Sequence, residues 1–180
     1  MGAPVFLAGP ALFVVTALVL GLVKPHYRPL HNTISELALD RYGYLQTANF
    51  VINGSLVTML GLVLATRHQH LYGSIAIMVM GLVLISSGIF RTDPIATGTS
   101  TSHGKVHNAL FFVGIFGTIS GQLVTGFGNL GSTLGVFSLT CGVLTLALLP
   151  ITVTRQRYMG LFQRLVVVVV VVWMTGFGVA

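Results

Sequence analysis

Two histidines one helical turn apart, His103 and His107, stand in the most polar run of a very apolar chain, residues 91–107 (RTDPIATGTSTSHGKVH). At the start of a helix, residues four apart project from one face, which lets two imidazoles grip one metal. A third ligand is needed, and His31 and Asp93 are the candidates. A divalent metal such as zinc, held by three protein groups with one position open, would activate water at neutral pH. The plainer reading has His103 at or before the helix start and His107 hydrogen-bonded to a neighbouring loop. Haem between His31 and His103 or His107 fits less well, because such sites want histidines within facing spans.

Asp93 also has two readings. It is a turn residue paired with Arg91 or Lys105, or else a ligand, a general base or a carboxylate that orients a histidine. A second polar run, residues 24–44, holds Ser35, Glu36 and Asp40 with His26 and His31. Ser35 reads as a helix-start hydroxyl or as a nucleophile, and the sequence places no base beside it. Thr33-Ile34-Ser35-Glu36 fits a capping box, which explains Glu36 and starts a short interfacial helix that Gly43 would end. Any chemistry is expected where the two runs meet. Asn49 and Asn53, four apart, share a face that must look into a bundle, as interhelical ties or as the lining of a polar cavity. His68 and His70 do not share a helical face and read as solvated. Cys141, the one cysteine, excludes an intrachain disulfide and a cysteine-based metal cluster.

The elements that must carry these residues follow from composition. Hydrophobic residues make up 54% of the chain and charged residues 7%, whereas a soluble domain carries about 25% charged. One all-α bundle of six transmembrane helices is the reading, with spans at about 4–23, 45–66, 71–90, 107–125, 130–151 and 161–180. No cation precedes the first span and Lys24 follows it, the reverse of a cleavable signal peptide, so it reads as a retained span. Gly117-x-x-x-Gly121 and Gly131-x-x-x-Gly135 have the spacing that lets helices pack closely. The net charge of +6 comes without a basic cluster, so membrane lipid is the expected partner and nucleic acid is not.

Counting cations by loop sets the orientation. Lys24, Arg28 and Arg41, then Arg91 and Lys105, then Arg155, Arg157 and Arg164 fall in or beside the three odd-numbered loops, against Arg67 alone opposite. The positive-inside rule puts those loops in the cytoplasm and both termini outside, in a plasma membrane.

Several short pieces together resemble an uncharacterised prokaryotic membrane family, the domain of unknown function nine-nine-eight. They are Lys24-Pro25-His26-Tyr27, Ile34-Ser35-Glu36-Leu37, Asn49-Phe50 through Gly54, Gly88-Ile89-Phe90-Arg91-Thr92-Asp93-Pro94, Ser102-His103-Gly104-Lys105-Val106-His107 and Phe162-Gln163-Arg164-Leu165. The resemblance implies six spans and no particular activity. The ingredients Ser35, Asp93, His31, His103 and His107 are also similar to those of the membrane hydrolase superfamily of alkaline ceramidases and adiponectin-type receptors. That superfamily has seven spans and carries its paired histidines on the last helix, so the likeness is one of ingredients. Three function classes follow. One is a metal-dependent hydrolase of a lipid or other amphiphile, with His103, His107 and His31 as ligands and Asp93 and Ser35 as catalytic groups. Another is a small carrier or lipid-binding protein lined by Asn49, Asn53 and Asp93. The third is a non-catalytic scaffold subunit.

Overall fold

Six long helices run through the chain, α1 (Ala3–Val23), α2 (Gly43–Thr66), α3 (Leu71–Ile89), α4 (Ser102–Gly128), α5 (Thr133–Thr154) and α6 (Met159–Val179). They come from a computed structural model that describes residues 3–67 and 70–180, with side chains from residue 8 onward. Three short 3₁₀ turns, Ser35–Ala38, Ile95–Thr97 and Gln156–Tyr158, sit in the loops between spans. Five of the helices are long and apolar enough to cross a membrane, and within α1 the stretch Ala8–Val23 counts as a shorter apolar helix. The chain is a membrane-spanning helical protein.

Backbone chemistry sets the helix ends. Hydrocarbon offers no partner to N–H or C=O groups, so each span must close its own ladder and cap its ends with side chains. α4 begins five residues before the expected position 107 because the Thr101 hydroxyl accepts from the Gly104 N–H at 3.1 Å, a cap that carries the helix back to Ser102. The Ser132 hydroxyl caps α5 in the same way, at 3.0 Å from the Gly135 N–H. The expected interfacial helix is a single 3₁₀ turn, Ser35–Ala38. Gly43 does not end it. It opens α2, pressed against the Ala38 backbone where a Cβ would not fit.

Neighbouring helices pack in chain order, and α6 closes the bundle against α1 and α5. The tightest seam lies between α2 and α3. A Cβ on Gly54 would stand 2.7 Å from the Gly81 carbonyl oxygen, one on Gly61 2.7 Å from the Ser74 carbonyl oxygen, and one on Gly81 would strike the Thr58 backbone. Of the two expected glycine pairs, Gly121 meets the Ala76 side chain, whereas Gly117 makes only an ordinary contact with Val79. Gly131 serves a turn, with φ of +90°. The core centres on Trp173, Ile77, Leu60 and Val57, and the Trp173 N–H donates to the Ser138 hydroxyl at 3.1 Å. Leucines, valines and phenylalanines stay exposed on the outer faces, as a lipid-facing bundle requires.

Gly81→Val should wedge α2 from α3 and cost about 2 kcal/mol through overpacking. Thermal unfolding in detergent should show a clear loss, while Gly128→Ala, at a site with open space around it, should leave the midpoint unchanged.

Candidate functional site

The three inter-span loops of one bundle end are sewn into a cap. The capping box is present: the Glu36 N–H reaches the Thr33 hydroxyl at 3.4 Å, and the Glu36 carboxylate accepts from the Thr33 N–H at 2.8 Å. That buried carboxylate also accepts from the Ile95 N–H at 3.2 Å and from the Asn32 amide at 3.3 Å, so it ties the first loop to the second. The start of α6 joins through Gly160 N–H to the His31 carbonyl at 3.2 Å and Leu161 N–H to the Leu30 carbonyl at 3.1 Å. Arg164 adds guanidinium donors to the carbonyls of Pro29 and Asn32 and to the Tyr27 hydroxyl. Burial raises the Tyr27 phenol above its usual value against the pull of Arg164, which keeps its proton for the Thr33 carbonyl at 2.8 Å. Lys24 donates to the carbonyls of Glu36 and Leu39, and burial lowers its ammonium below the usual lysine value while Asp40 and Glu36 pull the other way.

Under this cap Ser35 meets His107. The Ser35 hydroxyl lies 3.0 Å from His107 Nε2, and His107 Nδ1 lies 2.8 Å from the Phe90 carbonyl oxygen. That carbonyl is free because α3 stops at Ile89 and Phe90 turns extended. A carbonyl can only accept, so Nδ1 carries the proton; in the neutral ring Nε2 then presents its lone pair to the Ser35 hydroxyl. Gln163 stands beside the pair. Its Oε1 accepts from the Ile34 N–H at 2.7 Å, and this fixes which way the amide points and directs its NH2 group away from Ile34.

Two cavities share this junction. One, of about 350 Å³ at the loop end, has hydroxyl-bearing walls from Thr33, Thr92, Thr99 and Ser100, together with Lys105 and Asp93. The other, of about 100 Å³, runs into the bundle between apolar side chains of α1, α2, α3, α4 and α6. Ser35, His107, Phe111 and Gln163 border both.

The expected zinc set does not assemble. Among the described residues no group of three His, Cys, Asp or Glu side chains is placed to hold a metal ion. Both ring nitrogens of His107 are engaged, and the exposed His103 packs its ring against Phe90 at 5.6 Å. His31 precedes the 3₁₀ turn, so it shares no helical face with Ser35. Its Nδ1 meets the Arg157 carbonyl and its ring stacks on Tyr158 at 6.0 Å. Asp93 accepts from the Thr101 N–H at 2.8 Å and the Thr101 hydroxyl at 2.7 Å, and its carboxylate fills the space over Gly104. It anchors the first turn of α4 and does not touch the Nδ1 of His107. These two hydrogen bonds hold its carboxyl below the usual aspartate range, with a smaller contribution from His103 and His107.

Asn49 and Asn53 are buried in α2, and Gln46 extends their row. The Asn49 amide NH2 donates to the Phe13 carbonyl and to Gln46 Oε1, and that of Asn53 donates to the Asn49 carbonyl at 3.0 Å and to Asn49 Oδ1. His70, at the turn between α2 and α3, accepts from the Asn129 amide at 3.1 Å and is not simply solvated. His68 lies outside the described residues. The sequence marked Gln163 only as part of the family resemblance and gave it no place in the site; the available signal was a neutral amide inside an apolar span. Over residues 7–180 the chain matches the family model described as "Protein of unknown function (DUF998)", and it belongs to that family. No curated protein and no solved structure matches it.

Asp93→Asn should lower the thermal unfolding midpoint at neutral pH, because the amide has one acceptor oxygen where two donors converge. The folded-state carboxyl titrates below its unfolded value, so its contribution is complete above the usual aspartate range and is lost as pH falls through the folded value. The gap between wild type and variant should therefore close on acidification.

Proposed function

We propose that this protein cleaves or transfers the acyl group of a membrane amphiphile, with Ser35 as nucleophile and His107 as general base. The observation that carries the reading is the 3.0 Å contact between Ser35 Oγ and His107 Nε2, set at the junction of a hydroxyl-lined cavity and an apolar one. An ester with a polar head and an apolar tail divides at that kind of boundary.

As the Ser35 oxygen attacks the ester carbonyl, its proton passes to His107 Nε2. The Phe90 carbonyl holds the ring through Nδ1–H and faces the positive charge that develops, the part a carboxylate plays in a triad. The Gln163 NH2 group is the donor for the carbonyl oxygen as it becomes an oxyanion. Collapse breaks the bond to the leaving alcohol, which takes the proton from His107 and leaves acyl-Ser35. Water, or a second alcohol, then attacks the acyl carbonyl with the same base and restores Ser35. Lys105, exposed beside the hydroxyl-lined cavity, suits an anionic or polyol head. Asp93 acts by holding the start of α4, and with it His107.

The test is hydrolysis of p-nitrophenyl dodecanoate in proteoliposomes, with labelling by an alkyl fluorophosphonate. Wild type should turn over and be labelled on Ser35. Ser35→Ala and His107→Ala should each lose about 10³-fold or more. Gln163→Glu keeps the acceptor for Ile34 but removes the oxyanion donor, and should lose about 10²-fold in a folded protein. Activity should persist through chelator treatment; abolition by chelator would return the histidines to a metal. A folded wild type with neither turnover nor labelling would overturn the reading in favour of a lipid-binding protein.

The cation distribution supports a cytoplasmic position for this bundle end, and so a substrate from the inner leaflet. With Cys141→Ser as background, a Gly98→Cys chain should resist a membrane-impermeant maleimide in intact cells and react in inverted vesicles.

A further inference from the structure

The apolar cavity below Ser35 is too small to enclose a membrane amphiphile's tail. At about 100 Å³ it is smaller than a cavity of about 150 Å³ that receives one benzene. It holds the first few carbons of an acyl chain and no more. The loop-end cavity has hydroxyl-bearing walls and is no place for the remainder. The rest of the tail must leave the bundle, and the seam between α1 and α6 offers the way out. This is the thinnest seam between neighbouring spans. Among the described residues no hydrogen bond crosses it: α1 bonds to α2 through the Phe13 carbonyl, and α6 to α5 through the Trp173 N–H. The ties from Gly160, Leu161 and Arg164 to the first loop close it only at the loop end. Both sides of the seam also form the cavity wall, Pro10 and Phe13 on α1, Val167 and Val171 on α6. Val167 and Val171 are half-buried, so a single layer of side chains divides the cavity from the outer face. Val14, also half-buried, packs with Val167 on the buried cluster around Phe13. The two valines lie about 14 and about 12 Å from the loop ends of their helices, at one depth, and are the lips of the seam. Pro10 lacks the N–H that would bond the carbonyl four residues earlier, so α1 is weakest where it borders the cavity.

We propose that the acyl chain reaches Ser35 sideways from the bilayer, between α1 and α6, with its first carbons in the apolar cavity and the rest of its length in lipid. Val14, Val167 and Val171 give the passing chain apolar lips, and no polar group has to lose a partner for the seam to part. The head stays at the loop-end cavity, so the ester lies across the boundary at Ser35. The site then selects on the carbons next to the carbonyl and is indifferent to tail length beyond them. The inference rests on the acyl-group reading for the substrate, and on the cavity's size and the seam for the route.

Tying the lips together tests the route. Val14→Cys and Val167→Cys are introduced into a Cys141→Ser chain and joined in proteoliposomes by a short, reducible bis-methanethiosulfonate. The tethered protein should lose most of its turnover of p-nitrophenyl dodecanoate and keep that of p-nitrophenyl acetate, whose acyl group fits the cavity and enters from the loop end. Reduction should restore the first. Val171→Trp, which crowds the seam without a tether, should give the same split. Unchanged turnover of dodecanoate in the tethered protein overturns the inference. So does equal loss of both esters, and so does failure of the two cysteines to link. Binding without turnover separates this inference from the catalytic one. In a Ser35→Ala background in detergent, native mass spectrometry should find less bound dodecanoyl methyl ester with the tether than after its reduction. A wild type that cleaves neither ester, with binding still governed by the tether, would remove the catalytic reading and leave this one standing. Cleavage of both esters, with the tether affecting neither, would do the reverse.

Discussion

One carboxylate holds the two polar runs together. Glu36 accepts from the Thr33 N–H in its own loop and from the Ile95 N–H in the next, and it is buried where water does not compete. That bridge holds the 3₁₀ turn carrying Ser35 to the loop leading into α4, and the Ser35–His107 contact joins the turn to α4 itself. A short turn cannot hold itself, since so few hydrogen bonds do not offset the entropy of ordering it. The cap over the bundle is thus built from charge-assisted and backbone hydrogen bonds, while the spans beneath rely on backbone contact across glycines. The two regimes meet at Ser35, His107 and Gln163.

Much of the fold was legible because it follows from local rules. Span positions come from runs of apolar residues, and the capping box comes from the residue types at Thr33 and Glu36. Asp93 before Pro94 marks the end of one helix and the run-up to the next. The pairing of Ser35 with His107 was not legible, because it joins residues 72 positions apart through packing that no local pattern encodes. The histidine spacing also misled. His103 and His107 are one turn apart, but one ring packs on Phe90 from an exposed position while the other is buried with both nitrogens engaged. Helical spacing shows that two side chains can share a ligand; what surrounds each decides whether they do.

Gln163 and Gln46 show a further limit of composition. Neutral amides pass unnoticed in an apolar window, though each carries two donors and an acceptor that hydrocarbon cannot satisfy. Their partners are backbone atoms of other elements, Ile34 for Gln163, and a side chain of the same helix, Asn49, for Gln46. Such atoms are invisible until the chain is folded. A polar residue in a span thus marks a place where two elements are held in register or where a ligand supplies the missing partner.

Trp173 gives the molecule an optical property of its own. It is the chain's one tryptophan, fully enclosed, with its indole N–H on Ser138 and its ring against Phe177. Its neighbour Met174 forms part of the wall of the apolar cavity. Indole fluorescence from this protein therefore originates at a single point inside the bundle, beside the space an acyl chain would fill. A tail carrying a heavy atom would dim that light from within, and the same tail lying in the surrounding lipid would be separated from the ring by a layer of protein.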